Sequence, residues 1–182
     1  MTVDPHARVQ TGPEVNAGDV HDPHALDDAF AKYARTDVMV PPGDEASPWV
    51  PFVENVYIRH LSFDVRSNTY VNVLRVDNGG RLGRHRHRGP VSGVCLEGNW
   101  RYLEYDWTAE PGGYVHEYPG AIHTLVCDNP SGMKTLFWMN GSFEFYDDND
   151  NITDILDVFW FINHYVSYCE QNGLPVNERM FL

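Results

Sequence analysis

The stretch GGRLGRHRHRGPVSG, residues 79–93, sets His85 and His87 one residue apart among arginines and glycines. On a β-strand, residues i and i+2 project to the same face, so the two imidazoles point one way while Arg84, Arg86 and Arg88 point the other. Two imidazoles side by side make part of a coordination shell for a divalent cation. His123, in YPGAIHTLVC, is the best third donor, brought in from a separate segment. Imidazole suits Fe, Zn, Cu and Ni alike, so histidines by themselves do not choose the metal. The competing reading makes RHRHR a patch for polyanions. Against it stand 13 Lys and Arg facing 26 Asp and Glu, a formal charge of −13, whose field repels nucleic acid and anionic membrane.

Positioning such donors needs rigid strands, and the chain supplies them. NVYIRHLSFDV and TYVNVLRVD alternate apolar and polar positions, and strand-like runs follow at Val91–Leu96, Trp100–Asp106, Tyr114–Tyr118, His123–Cys127 and Lys134–Met139. Gly, Pro and Asn turns separate them. Many short strands with such punctuation indicate an all-β sandwich or small barrel in a single domain of 182 residues. Residues 1–40 read as a polar N-terminal arm whose ALDDAFAKYA segment (25–34) predicts a short helix, and residues 41–146 as the barrel. Residues 147–182 read as a C-terminal helix and tail. In NITDILDVFWFINHYVSYCEQNG the expected apolar face is Ile152, Ile155, Leu156, Phe159, Ile162, Val166 and Cys169, with Asn151 and Asp154 as the capping signal and Gly173 then Pro175 as the stop. A helix so apolar should be covered by the barrel and by a second subunit, or by the N-terminal arm. Cys95, Cys127 and Cys169 form no C-x-x-C pair and read as reduced, buried thiols. No apolar run approaches the length of a membrane span and the first residues lack an apolar signal core, so a cytoplasmic location is expected.

Glycines flank both histidine segments. Gly79 lies six positions before His85 and Gly98 closes the following strand; downstream come Gly113, then Pro119-Gly120, then His123. These blocks resemble the paired motifs of the cupin superfamily, G-x5-H-x-H-x3-4-E-x6-G and G-x5-P-x-G-x2-H-x3-N. The resemblance spans roughly residues 50–140. It implies a jelly-roll-type small β-barrel holding a metal on His85, His87 and His123. Two departures matter. Val91 and Ser92 stand where the first motif has its glutamate, and the second motif is one residue short and ends in Cys127.

A three-histidine shell without that carboxylate leaves a divalent metal its full charge and favours an anionic, chelating substrate. A replacement carboxylate is available if WRYLEYD continues as a strand, because Trp100, Tyr102, Glu104 and Asp106 then share a face and Glu104 reaches the metal or its water. Glu104, or an outer tyrosine such as Tyr102 or Tyr114, would take the substrate proton. HRHRGPVSGVCLEGNWRYLEYDW followed by GGYVHEYPGAIHTL resembles the small group of iron cupins that cleave carbon–carbon bonds with dioxygen, the acetylacetone-cleaving and 2,4'-dihydroxyacetophenone-cleaving enzymes. That resemblance implies an Fe(II) dioxygenase, with Zn or Ni possible as isolated, acting on an aryl or alkyl ketone and O2 as a homodimer or homotetramer. It implies a carboxylic acid and formate as products. The alternatives are another metal-dependent cupin, such as an isomerase or thiol dioxygenase, and a cupin that binds a ligand or metal without turnover.

Overall fold

Alternation of buried and open residues along successive strands fixes the architecture in the computed structural model, which describes residues 27, 31–32, 37–43, 47–77 and 79–182. The chain divides into two units, residues 1–37 and 38–182. In the first, Asp27, Ala31 and Lys32 are helical; Leu26, Phe30 and Tyr33, which carried the helix expectation, and most of the expected arm lie outside the described residues.

The second unit contains β1 (Val50–Val53), β2 (Val56–Asp64), β3 (Thr69–Val76), β4 (Arg81–His87), β5 (Val91–Gly98), β6 (Arg101–Tyr102), β7 (Tyr114–Glu117), β8 (Ile122–Val126), β9 (Met133–Asn140), β10 (Phe143–Tyr146) and β11 (Ile152–Leu156). They pair antiparallel in two sheets, ordered β1-β2-β3-β9-β5-β7 and β11-β10-β4-β8-β6. The inward rows of both contribute to one core, in which Leu74, Val91, Phe137 and Met139 of the first sheet join Leu82, Leu125 and Phe143 of the second. This is the all-β jelly-roll architecture expected. Among the described residues no helix is long and apolar enough to cross a membrane.

Tight backbone approaches hold the strand ends. Gly98 has φ +68°, and a Cβ there would lie 2.0 Å from the Gly132 carbonyl oxygen, so only glycine closes β5 without displacing the β9 entrance. Gly120, at φ +111°, donates its N–H to the His87 carbonyl at 3.1 Å, tying the turn before β8 to the end of β4. All three cysteines are free and buried.

The C-terminal region corrects the sequence expectation. Residues 152–156 form the edge strand β11 on β10, and helix α1 runs only over Val158–Gln171. Its N-cap is Asp157, which accepts from the Trp160 N–H at 3.0 Å, so Asn151 and Asp154 cap nothing. The β-branched Ile152, Thr153 and Ile155 suit strand pairing, and an Asp side chain directly before an apolar run starts a helix more cheaply than a cap inside a strand. The buried face is accordingly Val158, Phe161, Tyr165 and Cys169, whereas Phe159 is exposed. Helix α1 lies against β1, β2 and β11. His164 fastens it there: Nε2 donates to the Pro51 carbonyl at 2.9 Å, which leaves Nδ1 to accept from His60 Nε2 at 3.1 Å.

Candidate metal centre

Register brings the histidines together. On β4, His85 and His87 occupy inward positions beside Leu82, and β8 pairs with β4 so that His85 stands directly opposite His123. One nitrogen from each ring lies within 4.8 Å of the others, and all three residues are buried. The Phe143 ring of β10 packs at 4.6 Å from both His85 and His87, restricting their rotation. On the opposite face of β4, Arg86 and Arg88 hold the buried Glu144 carboxylate and Arg84 pairs with Asp150. The arginines are thus spent on carboxylates of the same molecule.

The rings are poised as neutral donors. His85 Nδ1 lies 2.7 Å from the Gly83 carbonyl, which accepts no other way than from an N–H, so the lone pair is on Nε2. Burial, reinforced by the neighbouring His123, drives the His85 pKa down to about 3. Burial and the charges His85 and His123 would carry drive His87 well below its ordinary value, and burial brings His123 to about 4, opposed by the Glu104 charge. Imidazoles that resist protonation keep their lone pairs available to a cation.

A carboxylate lies against two of the three histidines, and it is Glu117, not Glu104. Glu117, the last residue of β7, is 7% exposed; its Oε2 lies 3.4 Å from His87 Nε2 and 3.3 Å from His123 Nε2. Its other oxygen accepts from the Tyr102 hydroxyl at 2.7 Å, and Tyr102 stacks on His123 with centroids 3.7 Å apart. Burial raises the Glu117 carboxyl to about 7, moderated by the Tyr102 hydrogen bond. Burial and the Glu117 charge raise Tyr102 well above its ordinary value, so it remains a donor.

Glu104 is elsewhere. The strand that was to carry it ends at Tyr102, where a turn closed by Tyr105 N–H to the Tyr102 carbonyl interrupts the alternation. Glu104 is exposed and accepts from the Thr124 N–H at 2.8 Å. Tyr102 does reach the site, through Glu117. Tyr114 is exposed and, with His116, meets Ser92 on the outer face of β5 and β7. The signal for Glu117 lay in YVHE itself: Val115 and Glu117 share one face of that strand, Tyr114 and His116 the other.

The arrangement fits a bound cation. Glu117 Oε2 and His123 Nε2 are buried without any hydrogen-bond partner. Electron-rich atoms converging at such distances away from water are unfavourable unless a proton or a cation sits among them. Three imidazoles are a donor set for Fe, Zn, Ni or Cu, with the Glu117 carboxylate beside two of them.

Two hollows meet at this cluster. A narrow inner void of about 30 Å³ is bounded by His85, His87, Tyr102 and Glu117 and otherwise mainly by apolar side chains such as Leu74, Phe137 and Met139. An outer recess is bounded by His123 and Glu117 with Tyr105, Trp107 and Tyr118. Tyr102, Phe137 and Met139 line the void; Trp100 stands behind, edge-on to Tyr102.

Solved structures share this fold. An RmlC-like cupin protein of Ralstonia eutropha superposes with a TM-score of 0.73 at 25% identity, over 79% of this chain and 94% of that one. A second R. eutropha protein with a cupin-like fold gives 0.68 at 20% identity, over 77% and 90%. An acetylacetone dioxygenase from Acinetobacter johnsonii gives 0.64 at 18% identity, over 74% and 93%. No curated protein matches the sequence. Residues 37–144, from ahead of β1 into β10, match the ChrR cupin-like domain. The matched span is more than half of the chain and takes in both histidine strands and Glu117, so the chain belongs to the ChrR cupin-like domain family, within the cupin superfamily.

Proposed function

We propose that the protein is a non-haem Fe(II) dioxygenase that cleaves a carbon–carbon bond of a small hydroxyketone or diketone. The observation that carries this reading is the convergence of three neutral histidine nitrogens and one unpaired buried carboxylate oxygen at the end of an apolar void. The fold it shares with an acetylacetone dioxygenase supports the reading.

His85, His87 and His123 would hold the iron, with Glu117 as a further ligand or as the proton acceptor beside it. Bound there, Fe(II) supplies Lewis acidity toward two chelating ketone oxygens and the redox capacity to engage dioxygen. The protein's own groups do the rest. Glu117, whose Oε2 lies beside His87 and His123, takes the proton that an α-hydroxyl or an enolisable carbon must lose. Tyr102 fixes the direction of that carboxylate by donating to Oε1, leaving Oε2 turned toward the histidines. Apolar walls keep water from competing with the substrate. For an α-hydroxyketone, R–CO–CH2OH plus O2 gives R–COOH plus HCOOH: the bond between the carbonyl and hydroxymethyl carbons breaks, each fragment gains one oxygen atom, and no further reductant is consumed.

The test is to load metal-free protein with Fe(II) anaerobically, add 2,4'-dihydroxyacetophenone or acetylacetone, admit air and follow oxygen. The reading expects uptake that needs both iron and ketone, with formate formed from the hydroxyketone. Absence of uptake with either ketone overturns it and leaves a metal-binding cupin of other function.

A further inference from the structure

Glu117 borders both hollows at the cluster, whereas His85 and His87 border the inner one and His123 the outer. A cation held by the three imidazoles therefore lies between two spaces of different size and chemistry. The outer recess has a volume of about 240 Å³ and aromatic walls, with Tyr105 and Trp107 stacked at 5.6 Å between centroids and Tyr118 largely exposed. The inner void has about 30 Å³, roughly one water molecule's share of the liquid. No ring-bearing molecule enters it without displacing Leu74, Phe137, Met139 or Phe143, and close-packed core side chains resist such displacement. An organic substrate is thus confined to the outer recess, and the inner void is left to a molecule of the smallest kind.

The lining says which kind. Apart from the cluster residues, Tyr102 and Asn72, the walls are apolar, with Leu74, Leu82, Val91, Phe137, Met139 and Phe143 among them. The polar edge is already engaged: His85 Nδ1 faces the Gly83 carbonyl at 2.7 Å, Tyr102 donates to Glu117 Oε1 at 2.7 Å, and Glu117 Oε2 lies against His87 and His123. A buried water makes about three hydrogen bonds, whereas a hollow walled by Leu, Ile and Phe stays dry and takes up apolar guests such as xenon. Interiors leave few voids even of this size, and a larger aliphatic side chain in place of Val91 would fill it. The space is open beside His85 and His87, on the side of the cluster that the organic molecule does not reach.

We infer that the inner void is a seat for dioxygen, so that the centre receives its two reactants from opposite sides: the gas among Leu74, Val91 and Met139 beside His85 and His87, the organic molecule in the outer recess beside His123. The inference rests on the dioxygenase reading for the identity of the gas; the size and apolarity of the seat stand apart from it. The two reactants then do not compete for space, and oxygen occupies its seat whether or not the organic molecule is bound.

The experiment locates the gas before it measures turnover. Crystals of Zn(II)-loaded protein are pressurised with xenon and the atom is found by anomalous scattering. Wild type is expected to hold xenon in the inner void. Val91→Leu adds a methylene to its wall and is expected to expel the xenon, and Leu74→Phe gives the same reading should the first variant fail to fold. With Fe(II), the variant is expected to raise the KM for oxygen about fourfold or more, the scale set by the contacts of one buried methylene. The affinity of the Zn(II) form for 2,4'-dihydroxyacetophenone, measured calorimetrically, is expected to stay unchanged, because that molecule lies on the other side. Absence of xenon from the void in wild type, xenon retained in both variants, an oxygen KM unmoved in a variant that has lost xenon, or ketone affinity lost together with xenon overturns the inference. Xenon seated in wild type and lost in the variant, with no oxygen uptake by the iron protein, overturns the dioxygenase reading alone; uptake with no xenon in the void overturns this inference alone.

Discussion

Replacing Glu117 by glutamine separates the two roles of that carboxylate by sign. In metal-free protein the ionised side chain is a liability: burial raises its carboxyl from 4.5 to about 7, which corresponds to roughly 3 kcal/mol against the charged native form once the pH exceeds 7. An unfolded chain releases this proton near 4.5 and the native one near 7. Between those values the native state holds more protons, and metal-free stability falls as pH rises through that window. Glu117→Gln removes the loss, keeps an oxygen to accept from Tyr102, and offers an amide N–H to His87 or His123. Metal-free protein should therefore become more stable by up to about 3 kcal/mol at pH 8, and its stability should be less pH-dependent between 4.5 and 7. With metal the effect reverses, because a neutral amide no longer offsets the cation's charge. Loss of such a partner weakens metal affinity by roughly 10–100-fold, or about 1.4–2.7 kcal/mol, and the stabilisation gained on adding metal shrinks by that amount. The assay is denaturant unfolding at several pH values with and without Zn(II), together with chelator competition for the dissociation constant. An equal loss of stability in both forms, or unchanged metal affinity, would refute the reasoning.

Three further outcomes follow from other residues. Burial pushes the Glu144 carboxyl up, but hydrogen bonds from Tyr146, Arg88 and Arg86 overcome it and bring it to about 2; this stability is present above pH 4.5 and lost as pH falls toward 2, and Glu144→Gln should cost on the order of 1–3 kcal/mol at neutral pH in urea unfolding, with acid sensitivity reduced. Gly98→Ala puts a Cβ against the Gly132 carbonyl at a positive φ, so a loss of more than about 1 kcal/mol is expected, read from the urea midpoint. His116→Ala removes an outward-facing imidazole that meets Ser92 and Tyr114, and metal content by elemental analysis should equal that of wild type; a loss like that of a ligand variant would mean the donor set is wrong.

Much of the barrel was legible because strand alternation with glycine and proline turns is a local signal, and the pairing of His85 with His87 needs only a period of two. His123 came from motif spacing, but its seat opposite His85 depends on the register of β4 and β8, which no local pattern carries. Glu104 was misplaced for the opposite reason: alternation was extended through a turn that a backbone hydrogen bond from Tyr105 to Tyr102 creates. Glu117 stayed hidden because the four-residue β7 gives too short an alternation to say which face is interior, and its neighbours Tyr114 and His116 compete for attention on the outside. The C-terminal run carried apolar residues at both strand and helix spacing. Pairing of Ile152–Leu156 with β10, a long-range contact, decided between them and moved the helix start to Asp157.

The central claim is that imidazoles from β4 and β8 hold a single divalent cation. It is tested most directly by X-ray absorption at the metal edge, with elemental stoichiometry, on protein loaded with Fe(II) or Zn(II) and on the His85→Ala, His87→Ala and His123→Ala variants. The account predicts one tightly held ion per chain with imidazole scattering in its first coordination sphere, and loss of that ion in each variant. Wild-type protein that retains no metal, or any of these variants retaining it undiminished, would contradict it.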